Sequence, residues 1–547
     1  MDSARPGPGA RGVRIGERAI AKKLATLAAV AVCGAGAASA QARPSKPPKP
    51  SKPAPPPVRV SVVQTTADLT ERLAVQPAHT FGHRRAVAAT IDVDDARRYQ
   101  QFVGVGGAMT DSSAWLMWTQ LPAARRALLM QALFGVSGAR LGFLRVPVGA
   151  SDFTVDGVPY TYDDGAVDPT LARFSIRHDQ AYILPALRAA RRLNPAAYVE
   201  AVPWTMPPWM KANQAFDNPG EAGALLAADY RAAAGYLVAF LQAYARAGVP
   251  VQALSPANEP GQRTLIPSME LSVTQEAQLI SEDLLPALRG AHLSPTIFGW
   301  DLSWGPLTGS DPLVALARRG QIGLAYHCYQ GSPQIMTAVH QVAPAASQIM
   351  DECATGSFDT WSTSEILIAS FRNWAQAVGL WNLALNPAGG PVQPPNTGCP
   401  GCTGIVTIAR GHFFLSRDYY ELAQLSRFVT TGAWRVWSST SATYELTARY
   451  TTRVEGGLDD VAFLDGDGTR VLVVCNPGTH PQRFNVAWRG RYIIDTVPAG
   501  ATTTFTWRSP PPAPASDGGR GATPAQRPRR PNGWLNARRS KRPMTVS

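Results

Sequence analysis

The sequence predicts a (β/α)8 TIM barrel with an accessory all-β domain of the β-sandwich kind, on three observations. Short apolar runs alternate eight times with longer Ala- and Leu-rich segments of helical spacing, as repeated strand–helix units require. After about residue 430 the texture changes to short strand-like runs separated by turns. Polar, acidic or aromatic residues stand where the apolar runs end, and a barrel builds its site on that rim. A doubly wound sheet is the alternative for the first part.

Taken in order, residues 1–40 read as a secretory signal. Arg11, Arg14, Arg18, Lys22 and Lys23 form a basic region, Leu24 to Val32 an apolar stretch too short to span a bilayer comfortably, and Ala38-Ser39-Ala40 a small-residue cleavage site. The protein is therefore expected to be secreted, with an uncleaved anchor as the alternative. Residues 41–58, rich in Pro and Lys, are expected to form an extended linker, and 59–95 to hold N-terminal strands, beginning with Arg59–Leu73, that pair with the C-terminal β domain.

The barrel is placed at residues 96–430. Its strands are expected at Gln101–Gly106, Leu141–Pro147, Ala197–Pro203, Val251–Asn258, Thr296–Asp301, Gly323–Tyr329, Gln348–Glu352 and Val378–Leu383, with helices such as Ala224–Ala247 and Thr274–Arg289 between them. The β domain is placed at 431–507, where Val461–Leu464 and Val471–Cys475 flank Gly466-Asp467-Gly468 as a hairpin and Ile493–Thr496 and Thr502–Trp507 continue the pattern. Residues 508–547, rich in Pro, Arg and Gly, lack the apolar periodicity of a core and are expected to be a disordered basic tail.

The net charge of +13 suggests nucleic acid until it is divided along the chain. Residues 1–58 hold 10 basic and 2 acidic residues and 508–547 hold 9 and 1, which leaves 33 basic against 36 acidic between them. The folded part, at −3, gives no electrostatic reason to expect nucleic acid. The basic tail suits contact with a cell surface.

Signal cleavage would remove Cys33 and leave five cysteines, so at least one thiol is unpaired. Cys399-Pro400-Gly401-Cys402 could be half of a zinc site, but no second such pair exists to complete four ligands. A local Cys399–Cys402 disulfide suits an exported protein better. Gly104-Val105-Gly106-Gly107 lacks the acidic residue of a dinucleotide site about 20 residues on, and reads as a tight turn.

The chemistry is carried by two glutamates. Glu259 follows Val251–Asn258 and Glu352 closes Ser347–Asp351, so neighbouring strands would bring both carboxylates to one rim. A pair of carboxylates in one cleft is the equipment of a glycosidase. Asp111, Arg145, Asp152, Trp204, Asn258, Asp301, His327, Tyr329 and Trp381 stand on or after other strands. Taken singly, each has a structural explanation: Asn-Glu-Pro can start a helix, and a lone His or Trp is more often a core residue.

Phe102 to Asp111, Arg145-Val146-Pro147, Ser151-Asp152-Phe153, Pro203-Trp204, Trp209-Met210-Lys211, Asn258-Glu259-Pro260, His327, Tyr329, Glu352 and Trp381 to Asn386 together resemble glycoside hydrolase family 30, which includes glucosylceramidases. The resemblance covers about residues 59–507. It implies a retaining mechanism on β-linked sugars, with Glu259 as acid/base and Glu352 as nucleophile. It also implies substrate binding by Asp152, Trp204, Asn258, His327, Tyr329, Trp381 and Asp111, with Arg145 and Tyr329 orienting the nucleophile. The loop Val392 to Cys402 departs from the glucosylceramidase pattern and resembles that of members acting on β-1,6-glucan. The partner is thus a β-linked glycan or glycolipid, and the reaction needs no metal or organic cofactor. A non-catalytic sugar-binding protein on the same barrel is the rival.

Overall fold

The computed structural model describes residues 57–509, except 356–360, 394–398, 400, 440–442, 448–449 and 455–456. The expected signal peptide, nearly all of the expected linker and nearly all of the expected basic tail lie outside the described residues. Among the described residues no helix is long and apolar enough to cross a membrane.

Eight parallel strands close into a barrel in chain order. They are Gly104–Ala108, Phe143–Pro147, Tyr198–Val202, Ala253–Leu254, Thr296–Trp304, Gly323–Gly331, Gln348–Glu352 and Ala377–Leu380. Each expected strand exists, but the bounds move. The fourth shrinks to two residues, so Asn258 and Glu259 stand on the loop beyond it, and Trp381 lies just past the eighth strand rather than on it.

Glycines in the first strand answer to packing. A Cβ on Gly106 would lie 2.0 Å from the carbonyl oxygen of Phe143 on the neighbouring strand, so only glycine fits. The helix expected at Thr274–Arg289 forms as Val273–Gln278, a π-helical turn Leu279–Leu284 and Leu285–Gly290.

Alternation along the strands builds the barrel interior in layers. Phe143, Ala253, Phe298, Ala325, Ile349 and Ala377 pack together as an apolar layer, with Tyr198 against it. Two residues further along the chain from five of these positions stand Arg145, Glu200, Ser255, His327 and Asp351, all buried. The polar layer is therefore set by the period of two, one step nearer the C-terminal rim. Register breaks between Trp300 and Leu302 and between Met350 and Glu352 mark bulges at Asp301 and Asp351. Bulges of this kind re-aim side chains near active sites.

The accessory domain is a nine-stranded sheet built from both ends of the described chain. Arg59–Thr65 pairs antiparallel with Thr502–Arg508, and Asp459–Leu464 with Thr469–Cys475 across the Gly466-Asp467-Gly468 turn. Its longest strand, Thr90–Gln101, crosses the expected barrel boundary at residue 96, so the barrel begins later than the sequence suggested. Phe81, Phe484, Trp488, Phe505 and Trp507 help to form its core.

Candidate active site

Arg145, wholly buried, organises the polar layer. Its guanidinium donates to Oε2 of Glu352, to Oδ1 of Asn258 at 2.8 Å and to Oδ1 of Asp301 at 2.6 Å, and its Nε faces Oδ2 of Asp351 at 3.1 Å. A planar fork of donors suits such multiple pairing where an ammonium would not. Burial opposes charge on Arg145, but Asp301, Asp351 and Glu352 hold it firmly protonated.

His327 links Glu259 to Asp301. Its Nδ1 lies 2.9 Å from Oε1 of Glu259 and its Nε2 3.0 Å from Oδ1 of Asp301. Burial would strip the ring of its proton, but Glu352, Asp301, Glu259 and Asp351 raise its pKa well above the ordinary range. Both ring nitrogens therefore donate. Expected among the substrate-binding residues, His327 is buried beneath the carboxylates and does not line the cavity.

Glu352 is pinned on both oxygens, since Oε2 accepts from Arg145 and Oε1 accepts from the Tyr329 hydroxyl at 2.8 Å. Burial raises its pKa, against the opposing pull of His327 and Arg145. Glu259 has a left-handed backbone, φ 41°, and its N–H donates to the Asp301 carbonyl at 2.9 Å. Asp301 and Trp300 share that strained region at φ 42° and 77°. Non-glycine residues there persist only when surroundings over-determine them, a pattern typical of functional sites.

One oxygen of Glu259 and one of Glu352 lie within 4.8 Å of each other, with His327 Nδ1 in the same cluster. Asp301, His327 and Asp351 form a second such cluster. Both clusters could be taken for metal sites. Arg145 and protonated His327 already supply the positive charge between these carboxylates, so the chemistry of the donor set does not call for a cation.

Above the network opens a cavity of about 410 Å³. Trp204 and Trp381 stack at 4.9 Å and 22° as its aromatic wall, and Asp152, Asn258 and Tyr329 line it with both glutamates. Oδ1 of Asp152 is buried and has no hydrogen-bond partner among the described residues. Burial and then the charge of Glu352 raise the Asp152 pKa well above the carboxylate range, leaving it able to donate and accept toward sugar hydroxyls. The loop beyond strand four adds Gln262, Thr264 and Ile266, and the ends of strands five and six add Ser303 and Gln330.

Asp111 is a correction. It follows the first strand but does not line the cavity: its carboxylate accepts from Tyr182 at 2.7 Å and from Val155 N–H at 2.9 Å, and pairs with His178 at 2.9 Å. It fastens the loop that carries Asp152. Cys399 and Cys402 are paired, with Cys399 in the cavity wall. A second pair, Cys328–Cys353, ties the ends of strands six and seven next to His327 and Glu352, and was not foreseen.

The pinning of Glu352 predicts the effect of Tyr329→Phe. Loss of a hydrogen bond to a charged group removes about 1.5–3 kcal/mol, so kcat should fall roughly ten- to a hundredfold. Because Tyr329 holds the Glu352 pKa down, the acid limb of the kcat/KM profile should also move to higher pH. Unchanged rates and an unmoved limb would exclude the role.

Glu276 supports the site from behind, its Oε1 accepting from Trp300 N–H at 3.0 Å. Burial raises its pKa from 4.5 to about 8. A group whose pKa is raised by folding favours the folded state at low pH and ceases to do so as pH rises through that window. Glu276→Gln should therefore flatten the fall in Tm between pH 4.5 and about 8, as thermal unfolding across that range would test.

A barrel with two facing carboxylates at its C-terminal rim and an aromatic wall beside them defines the class, a barrel-type glycoside hydrolase. Residues 102–296 match the Glycosyl hydrolase family 30 TIM-barrel domain and 432–505 the family's beta sandwich domain. An endo-1,6-beta-D-glucanase of Trichoderma harzianum is 31% identical over 76% of this chain and 86% of its own. The lysosomal acid glucosylceramidase of Mus musculus is 28% identical over 78% and 85%. A solved structure titled an endo-beta1,6-glucanase superposes with a TM-score of 0.72 at 25% identity, covering 82% of this chain and 99% of that one. The chain belongs to glycoside hydrolase family 30.

Proposed function

We propose that the protein is an exported retaining β-glycosidase that cleaves β-1,6-linked glucan. The observation that carries the mechanism is the approach of Glu259 and Glu352 to within 4.8 Å. Retaining enzymes hold their carboxyl groups about 5–5.5 Å apart, whereas inverting ones leave about 6.5–9.5 Å for a water. In this account Glu352, pinned by Arg145 and Tyr329, attacks the anomeric carbon while Glu259 protonates the departing oxygen. Glu259 then takes a proton from water, which releases the sugar with its β configuration. His327, donating to Glu259 Oε1, holds that carboxyl in line for both steps.

For the substrate, two considerations favour glucan over a glycolipid. The relatives named endo-1,6-beta-D-glucanase are 31–32% identical, above the 26–28% of those named glucosylceramidase. The outer wall of the cavity also offers Gln262, Thr264, Ser303 and Gln330, which suit hydroxyls better than lipid chains. Initial rates on a β-1,6-glucan oligomer, glucosylceramide and an aryl β-glucoside test the reading. Turnover of the oligomer above glucosylceramide supports it, and the reverse order, or turnover of none, overturns it. For export, the mature N-terminus should lie near Gln41 by mass spectrometry, and intact Met1 on exported protein would refute it.

A further inference from the structure

We propose a second glycan-binding site at the entrance end of the barrel, where Tyr99, His340, Trp374 and Trp434 wall a cavity that takes one neutral glucosyl unit of the polymer. The proposal rests on the glucan reading above. The cavity measures about 260 Å³. It lies where the seventh and eighth barrel strands begin, since Ser347 and Gln376 directly precede Gln348–Glu352 and Ala377–Leu380. Tyr99, Gln101 and Trp434 close it from the nine-stranded sheet. The catalytic glutamates stand at the opposite ends of the strands, so the two cavities are separate.

The lining has the chemistry of a neutral-sugar site. Among the described residues it contains three aromatic side chains, His340 and three glutamines, and no Asp, Glu, Lys or Arg. Burial, followed by the charge of Arg435, keeps His340 toward its neutral form. Arg435 covers the Tyr99 ring at 3.6 Å and His340 covers one face of Trp374, so stacking on the C–H side of a sugar falls to Trp434, while amides and indole N–H groups bond its hydroxyls. Gln100 is committed inward, donating to the Phe371 and Ala375 carbonyls at 2.6 and 2.9 Å. The half-buried Gln376 amide and the indole N–H groups of Trp374 and Trp434 make no hydrogen bond with described residues and remain available to a ligand.

Trp374 supplies an independent observation. It directly follows Asn373, the C-cap of helix Thr363–Arg372, and has φ 78°. Glycine occupies that position at no steric cost, and a bulky side chain does not. Here the side chain at that position is an indole that stacks with His340 at 3.4 Å and 15°, and meets Tyr99 edge-on at 5.6 Å. A bulky aromatic held at a position that favours glycine, beside an open cavity, is consistent with a role for that side chain in the cavity.

The test uses the full chain carrying Glu352→Gln, which binds without turnover, in affinity gels cast with soluble β-1,6-glucan. Trp434→Ala and Gln376→Ala are added singly, and the catalytic pocket contributes equally in every lane. Each is expected to weaken retardation roughly two- to tenfold. The same substitutions in the active enzyme should leave aryl β-glucoside turnover unchanged. If melting curves show that Trp434→Ala does not fold, Gln376→Ala decides. Undiminished retardation in the folded variants, or no retardation of the Glu352→Gln protein at all, overturns the site. Absence of aryl-glucoside turnover by the wild type would instead count against the glycosidase reading.

Discussion

Replacing Glu352 with alanine is expected to lower kcat by at least about 10⁴-fold on every substrate, because no glycosyl-enzyme can form whatever the leaving group. Glu259→Ala should behave differently. Acid assistance contributes about 10²- to 10⁴-fold, and an aryl glycoside with a good leaving group needs little of it. The first step then continues while the second, which needs base help, stalls, so the intermediate accumulates. Azide needs no base and should rescue Glu259→Ala to the β-glycosyl azide. With Glu352→Ala the anion takes the place of the missing carboxylate on the opposite face and yields the α-azide. Identical azides from both variants would show that the roles are wrongly assigned.

The second large effect is expected at Arg145. Arg145→Met leaves Asp301, Asp351 and Glu352 facing one another in a buried layer with His327 as their remaining cation. Breaking a buried pair by removing one partner costs about 3–5 kcal/mol, because the other charge stays uncompensated. The midpoint of urea unfolding should fall accordingly. The sign of the pH dependence is fixed as well. Asp301 is held below the ordinary carboxylate range, against the opposing effect of burial, by Arg145 and then His327. Its share of stability is present above its unfolded-state pKa and is lost as pH falls through the folded one. Without Arg145 that share disappears, so the difference between variant and wild type should shrink toward acid pH. A difference independent of pH, or a stable and active variant, would contradict the role given to the network.

The barrel was legible because buried parallel strands are nearly continuous apolar runs, with polar, acidic or aromatic residues standing at or just beyond their ends. The pairing of Glu259 with Glu352 was legible for the same reason. Boundaries were less so: Val251–Asn258 reads as one extended run, yet only Ala253–Leu254 joins the ladder and the rest becomes the loop that presents Glu259. The second layer of the site stayed hidden. Asp301 was read as the end of strand five, but Glu200 and Asp351 were not read as site residues, and only closure of the barrel gathers strands three, five and seven around Arg145. A period of two counted from Phe143, Tyr198 and Ile349 finds Arg145, Glu200 and Asp351, whereas Glu352 falls outside that count because the register breaks between Met350 and Glu352. Asp111 misled because a rim position does not fix where a side chain points, and the inserted loop holding His178 and Tyr182 captures it. Cys328 and Cys353, 25 residues apart, gave no spacing signal and meet because their strands are neighbours.

Trapping of the covalent intermediate tests the central claim most directly. A 2-deoxy-2-fluoro-β-glucosyl fluoride slows both steps but keeps a good leaving group, so a retaining enzyme should be inactivated with one label per chain. Peptide mapping by mass spectrometry should place that label on Glu352 and leave Glu259 free. A label on any other residue, or rapid turnover of the reagent to α-configured product without labelling, would contradict the assignment.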